Sequence, residues 1–270
     1  MGESLSAIPH FTVLGSGPTL LMLHGIGGGH RAFAPQVESL ACHGYRAVAW
    51  DMPGYGRSPP IEPYNFKGLA QSCIALIEAL LAGTGGARSL VLLGHSMGGM
   101  VAQEVVARRP DLVHGLILCG TSAAFGKPEG DWQQAFVAER TAPLDAGQSM
   151  ADLARVLVPQ MIGPASLPEG VQLALQCMAE VYPATYRKAL QALVCFDRKA
   201  ALALIHVPTL LISGEHDRNA PPAVMKRMAS LITGSRYVEL PGIGHLQNLE
   251  SPDAFDAAVL DFLAACARPH

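Results

Sequence analysis

Charge is scarce in this chain. Asp, Glu, Lys and Arg make up 15% of its 270 residues, against 50% for hydrophobic ones. That balance excludes a disordered chain and leaves ample material for a core. A basic excess is missing too: 19 Lys and Arg face 22 Asp and Glu, for a formal net charge of −3. Nothing here attracts nucleic acid or an anionic membrane, so neither is expected as a partner. No apolar run of about 18 residues occurs, so no membrane-spanning helix is expected. The stretch from Met1 to Phe11 lacks a basic region followed by an apolar one, and the expected location is cytoplasmic. The six cysteines (Cys42, Cys73, Cys119, Cys177, Cys195 and Cys266) show no C-x-x-C spacing. They read as reduced core residues, and no metal is expected.

What is present is a rhythm of short apolar strands and amphipathic helices. Strand signals lie at Thr19–Leu23, Tyr45–Trp50, Ser89–Leu93 and Val113–Cys119, with helical periodicity at 31–42 and Phe66–Leu81 between them. Each strand is almost continuously apolar, as in a parallel sheet covered on both faces. At most one or two edge strands are expected in residues 1–18. The rhythm stops after Thr121. Helical segments follow around Trp132–Arg140, Ser149–Met161, Val171–Val181 and Tyr186–Val194, with Pro128, Pro143, Pro159, Pro164, Pro168 and Pro183 expected to punctuate them. It resumes with a strand at Thr209–Ser213, a helix from Pro222 to Leu231, a strand at Tyr237–Leu240 and a helix from Pro252 to Cys266. The expected fold class is α/β, with a mostly parallel central sheet and helices on both faces. Residues 1–121 and 207–270 form its core domain, and 122–206 a helical cap.

The most informative stretch is L-V-L-L-G-H-S-M-G-G, Leu90 to Gly99. It places a G-x-S-x-G match between a strand and a helix. A serine on so tight a turn is strained, and side chains at Gly94 and Gly98 would collide with neighbouring elements. The turn lifts the Ser96 hydroxyl above the carboxyl end of the sheet, where ligands bind in such folds. Ser96 is therefore the candidate nucleophile.

A serine nucleophile needs a base, and the base needs an orienting acid. Of ten histidines, His245 alone follows the last strand on a flexible loop, P-G-I-G-H, at the sheet's carboxyl end. The acid should follow another strand; Asp217 in G-E-H-D is favoured over Glu215 because it clears the strand end. Donors for a developing oxyanion are expected from the Met97 N–H and from the H-G-I-G-G-G loop, by the Ile26 N–H or, one residue on, Gly27. That loop lacks the lysine of a phosphate-binding loop, and no organic cofactor is expected.

These landmarks resemble the α/β-hydrolase superfamily over essentially the whole chain: H-G-I-G at 24–27, D-M-P-G-Y-G-R-S at 51–58, G-H-S-M-G-G at 94–99, G-E-H-D at 214–217 and G-H at 244–245. The tail R-Y-V-E-L-P-G-I-G-H-L-Q-N-L-E-S-P-D-A-F and the segment T-S-A-A-F are similar to 3-oxoadipate enol-lactonases of aromatic-ring degradation. The resemblance implies a triad of Ser96, Asp217 and His245. The oxyanion loop departs from those lactonases in its extra glycines, Gly27–Gly29. It is also similar to the loop of carbon–carbon hydrolases of ring-fission products and of simple carboxylesterases. Ser96 excludes the dehalogenases and epoxide hydrolases of the superfamily, which carry aspartate there.

The expected activity is hydrolysis of an ester or lactone of a small carboxylic acid through an acyl-enzyme. Its alternatives are carbon–carbon bond hydrolysis and, in another class, a non-catalytic small-ligand receptor. Trp132 is the expected pocket wall. A carboxylated substrate would need a cation, because an unpaired buried charge is costly. The candidates are Lys127, Arg140, Arg155, Arg187, Lys188, Arg198 and Lys199. Arg140 is favoured: it lies a little over two helical turns after Trp132, and arginine forks suit carboxylates. A histidine base predicts an acidic limb of kcat/KM at about pH 6 to 7.

Overall fold

The computed structural model describes residues 8–83, 85–126 and 131–266. In chain order the main elements are β1 (Phe11–Leu14), β2 (Thr19–Leu23), α1 (Ala34–Cys42), β3 (Arg46–Trp50), α2 (Phe66–Ala82), β4 (Leu90–His95), α3 (Met97–Arg108) and β5 (Val113–Cys119). Four helices follow, α4 (Trp132–Asp145), α5 (Met150–Met161), α6 (Pro168–Ala179) and α7 (Pro183–Leu193). The chain ends with β6 (Thr209–Gly214), α8 (Pro222–Leu231), β7 (Arg236–Leu240), α9 (Gln247–Glu250) and α10 (Pro252–Cys266).

The strands form one sheet in the order β1-β3-β2-β4-β5-β6-β7. Among the described residues, β1 is the one edge strand in the N-terminal stretch, and in this sheet it alone runs antiparallel, pairing with β3. Successive strand residues point to opposite faces, so each strand feeds two cores. Leu21, Leu23, Val48, Trp50 and Leu92 pack on one face against α2 and α3 residues such as Leu69, Leu76 and Val101. Leu20, Met22, Ala49, Leu93 and Ile212 pack on the other against Val37 and Leu40 of α1 and Phe255, Val259 and Phe262 of α10. Burial on both faces is why β2, β4 and β6 read as unbroken apolar runs.

The four helices α4–α7 stand between β5 and β6, where the sequence rhythm breaks. Pro168 and Pro183 each open a helix, where the missing N–H costs nothing. Ser149 caps α5 in a reciprocal box with Asp152. Two prolines depart from expectation. Pro143 and Pro159 lie inside α4 and α5 instead of separating helices. Each falls in a last turn, so the i→i−4 bond that its missing N–H forfeits lies near the helix end, with little helix beyond it to kink. Pro128 lies outside the described residues. The cysteine expectation also needs correction. All six are free, but Cys42 and Cys195 are exposed and Cys266 is half-buried; only Cys73, Cys119 and Cys177 are core residues. Among the described residues no helix is long and apolar enough to cross a membrane.

The two-core arrangement makes a stability prediction. Phe255 is fully buried against the sheet, whereas Val13 on β1 is 43% exposed. Phe255→Ala should lower the unfolding free energy by about 3–5 kcal/mol. Val13→Ala should change it by no more than about 0.5 kcal/mol. Urea unfolding followed by circular dichroism measures both.

Candidate active site

β4 passes into α3 through one residue, Ser96, whose backbone sits at φ 52°, ψ −120°. Among the described residues it is the only non-glycine with positive φ, a strained state for a residue with a Cβ. Neighbouring glycines make the turn possible. A Cβ on Gly94 would come within 2.5 Å of the Gly98 carbonyl oxygen, and one on Gly98 would run into the Leu23 carbonyl. Backbone and side-chain bonds hold the turn. The Ser96 N–H donates to the Cys119 carbonyl (2.9 Å), and the Ser96 carbonyl accepts from Gly99 N–H (2.9 Å) and Thr121 Oγ1 (2.7 Å).

The residues predicted from the sequence meet here. His245 Nε2 is 3.0 Å from Ser96 Oγ, and His245 Nδ1 is 2.8 Å from Asp217 Oδ2. The ring therefore carries its proton on Nδ1, towards the carboxylate, and presents Nε2 to the hydroxyl. Asp217 is buried and held by the N–H groups of Asn219 (2.8 Å) and Ala220 (2.9 Å) on Oδ1 and by Gln247 Nε2 (3.2 Å) on Oδ2. Its sequence rival, Glu215, is exposed and accepts the Gly242 N–H instead (2.8 Å).

Burial sorts three neighbouring histidines. It works against a charge on His245, but the Asp217 charge and hydrogen bond, with Glu250 beyond, carry its pKa above the ordinary value. Burial likewise opposes the Asp217 carboxylate, and the His245 charge and hydrogen bond with the loop N–H donors nevertheless hold its pKa down. His95 has no carboxylate. It donates from Nε2 to the His245 carbonyl (2.7 Å), and burial, followed by the charge of His245, pushes its pKa down to about 3. His24 accepts the Met52 N–H on Nε2 (2.9 Å), and burial lowers it to about 4. Both are neutral supports.

The glycine-rich loop after β2 lies beside Ser96; a Cβ on Gly25 would stand 3.0 Å from the Ser96 Cβ. Gly28 N–H donates to the Gly25 carbonyl (3.0 Å), which closes a turn with Ile26 and Gly27 at its centre. Tyr55 Oη donates to the Ile26 carbonyl (2.9 Å). Met97 opens α3, so its N–H has no partner within the helix. The loop's far end is tied by Asp51, whose role no motif announces. Asp51 Oδ1 accepts the His30 N–H (2.9 Å) and pairs with His30 Nδ1 (2.9 Å), while Oδ2 pairs with His10 Nδ1 (2.7 Å). Among the described residues His10, His30 and Asp51 are the one group spaced to hold a metal ion. Hydrogen bonds already engage both Nδ1 atoms and both carboxylate oxygens.

Ser96 and His245 open into a cavity of about 510 Å³, roofed by α4–α7. Trp132 and Arg140 both line it. They meet through Phe136: Trp132 stacks on its ring at 5.3 Å between centroids, and the Arg140 guanidinium lies 5.4 Å from the same ring. Arg218 adds a second cation to the lining, which among the described residues contains no carboxylate. The other cations considered are engaged elsewhere: Arg155 with Asp152, Arg187 with Asp145, Lys188 with Glu62, Arg198 with Glu104 and Lys199 with Asp197. Lys127 lies outside the described residues. Half-buried Arg140 has no carboxylate partner among the described residues.

Two residues beside the site carry no motif of their own, Gln247 on Asp217 and Glu250 behind His245. A hint was present, since both follow His245 closely in Q-N-L-E. Their partners are set only by folding.

Titration of the three histidines tests this electrostatic picture. In a two-dimensional NMR titration, His245 should titrate above the ordinary imidazole value of about 6.5. His24 and His95 should stay neutral throughout pH 5 to about 8, because burial lowers them to about 4 and about 3.

Comparison with known proteins agrees with the geometry. Residues 20–258 match the description of the alpha/beta hydrolase family. The pimeloyl-[acyl-carrier protein] methyl ester esterase of Nitrosospira multiformis is 31% identical over 92% of this chain and 95% of its own. The enol-lactonase of Burkholderia xenovorans LB400 superposes with a TM-score of 0.82 at 28% identity, covering 94% of this chain and 96% of that one. A thermophilic esterase from Thermogutta terrifontis gives 0.85 at 26% identity, covering 96% and 94%.

Proposed function

The chain belongs to the alpha/beta hydrolase family, and on that footing we propose that it is a serine hydrolase cleaving an ester or lactone of a small carboxylic acid. The observation that carries this reading is the continuous hydrogen-bonded chain from Ser96 Oγ through His245 to Asp217 at the floor of an apolar cavity. Ser96 attacks the carbonyl carbon while His245 Nε2 takes its proton. The same proton goes to the leaving oxygen, and an acyl-enzyme remains. His245 then deprotonates a water, which releases the acid and restores the serine. Asp217 keeps the imidazole in its Nδ1–H tautomer and stabilises the imidazolium. The Met97 N–H at the start of α3 and the Ile26 N–H, or that of Gly27 in the same turn, serve the oxyanion; the loop that carries Ile26 and Gly27 lies against Ser96.

In this reading residues 122–206 act as a cap, with Trp132 a wall of the acyl site. Arg140, half-buried and without a carboxylate partner among the described residues, receives a carboxylate of the substrate. That favours an anionic lactone, and the similarity to an enol-lactonase supports the same choice.

Ser96→Ala should lower kcat by roughly 10⁴-fold or more with folding intact, and a fluorophosphonate should label Ser96 alone. Asp217→Asn should be far more damaging than Glu215→Gln; the reverse order would move the acid to Glu215. A raised His245 pKa means that the base is lost as pH falls through that value, so the acidic limb of kcat/KM should lie above about pH 6.5.

Arg140 makes a separate prediction. Arg140→Ala should raise KM for a carboxylated lactone roughly 10- to 100-fold and spare a neutral aryl ester. Equal losses on both, or none on either, would remove Arg140 from the site and leave a general esterase.

A further inference from the structure

Glu250 is fully buried, and its charge meets no Lys, Arg or His in ion-pair range among the described residues. Four donors surround it instead. Oε2 accepts from Gly244 N–H (2.7 Å), Gly163 N–H (2.7 Å) and Ser166 Oγ (2.6 Å); Oε1 accepts from Leu246 N–H (2.7 Å). Gly244 and Leu246 are the residues on either side of His245. Gly163 and Ser166 belong to the segment that joins α5 to α6, two of the helices whose residues roof the cavity. The same two segments are stitched further: His245 N–H donates to the Met161 carbonyl (2.6 Å), Ala165 N–H to Gly242 (3.0 Å) and Leu167 N–H to the Glu250 carbonyl (2.9 Å).

We propose that Glu250 is a positioning residue: its carboxylate fixes the backbone on both sides of His245 and ties it to the roof segment Gly163–Ser166, so that the base is aligned only while the roof is docked. An acceptor-only group is required. Four donors converge on two oxygens, and a group that brought its own N–H would oppose one of them. The anion also acts on the ring. His245 faces Asp217 from the loop after β6, neutral His95 from β4, and Glu250 from α9; Arg218 lines the same cavity. Removing the Glu250 charge therefore withdraws one of two anions that favour the imidazolium.

The inference rests on His245 being the base for Ser96, and the test separates the two. Glu250→Gln keeps the shape and sets an amide N–H₂ against a backbone N–H. With p-nitrophenyl acetate its kcat should fall on the order of 10- to 100-fold with KM nearly unchanged, and its acidic limb should move to lower pH. Wild-type kcat and an unmoved limb in a folded Glu250→Gln would overturn the proposal, leaving Glu250 as a fold-holding residue. If that variant does not fold, Ser166→Ala removes one roof donor without stranding a charge. It should lower kcat about threefold at constant KM, and an unchanged kcat would overturn the proposal equally. Ser96→Ala run alongside identifies the other failure: if it retains activity, the serine-hydrolase reading falls whatever Glu250 does.

Discussion

Between β4 and α3 there is room for one side chain, that of Ser96. Gly94 lies against Gly98, Gly98 against the β2 carbonyls, and Gly99 against Thr121. The helix can therefore cross the sheet closely enough to drive Ser96 to positive φ, and strain at that residue lifts its hydroxyl into the cavity. Everything else at the site is placed relative to this contact. The loop after β2 abuts the serine because Gly25 has no Cβ, and the His245 loop reaches it from β7, three strands away.

The electrostatics follow from the same crowding. His24, His95 and His245 are all buried near the turn, where desolvation favours the neutral ring. Two carboxylates, Asp217 bonded to the ring and Glu250 behind it, separate His245 from the others. Of the three rings only His245 is hydrogen-bonded to Asp217, so that ring is both basic and correctly protonated. At His24 and His95 burial outweighs the more distant carboxylates, and both act as rigid hydrogen-bonding spacers. Three chemically identical side chains thus receive distinct tasks from their neighbours, not from their spacing in the chain.

What could be read from the sequence follows from range. Strands buried on both faces are continuous apolar words, so β2 to β6 are legible to within a residue or two; β7, exposed or half-buried along most of its length, is legible from its place in the alternation. The serine turn was legible because its glycines are local. Asp217 and His245 could be placed because strand ends converge at one edge of a parallel sheet. Glu250 and Asp51 could not be assigned roles, since their partners lie up to 87 and 41 residues away. Pro143 and Pro159 misled for a related reason: whether a proline ends a helix or sits in its last turn depends on packing beyond the local pattern. Cys42 and Cys195 were misjudged because composition speaks of an average cysteine, while exposure is decided site by site.

The stitched contact between Met161–Leu167 and Gly242–Glu250 bears on how such a chain could be recombined. An exchange of the whole insertion, cut near Thr121 and His206, would import a foreign segment opposite the His245 loop and sever its backbone ladder. A crossover placed after α4, in the turn before Ser149, would leave that ladder native while replacing the face that carries Trp132, Phe136 and Arg140. The seam at which this protein divides for exchange of its lining thus runs through the roof, one helix inward from the boundary suggested by the strand rhythm.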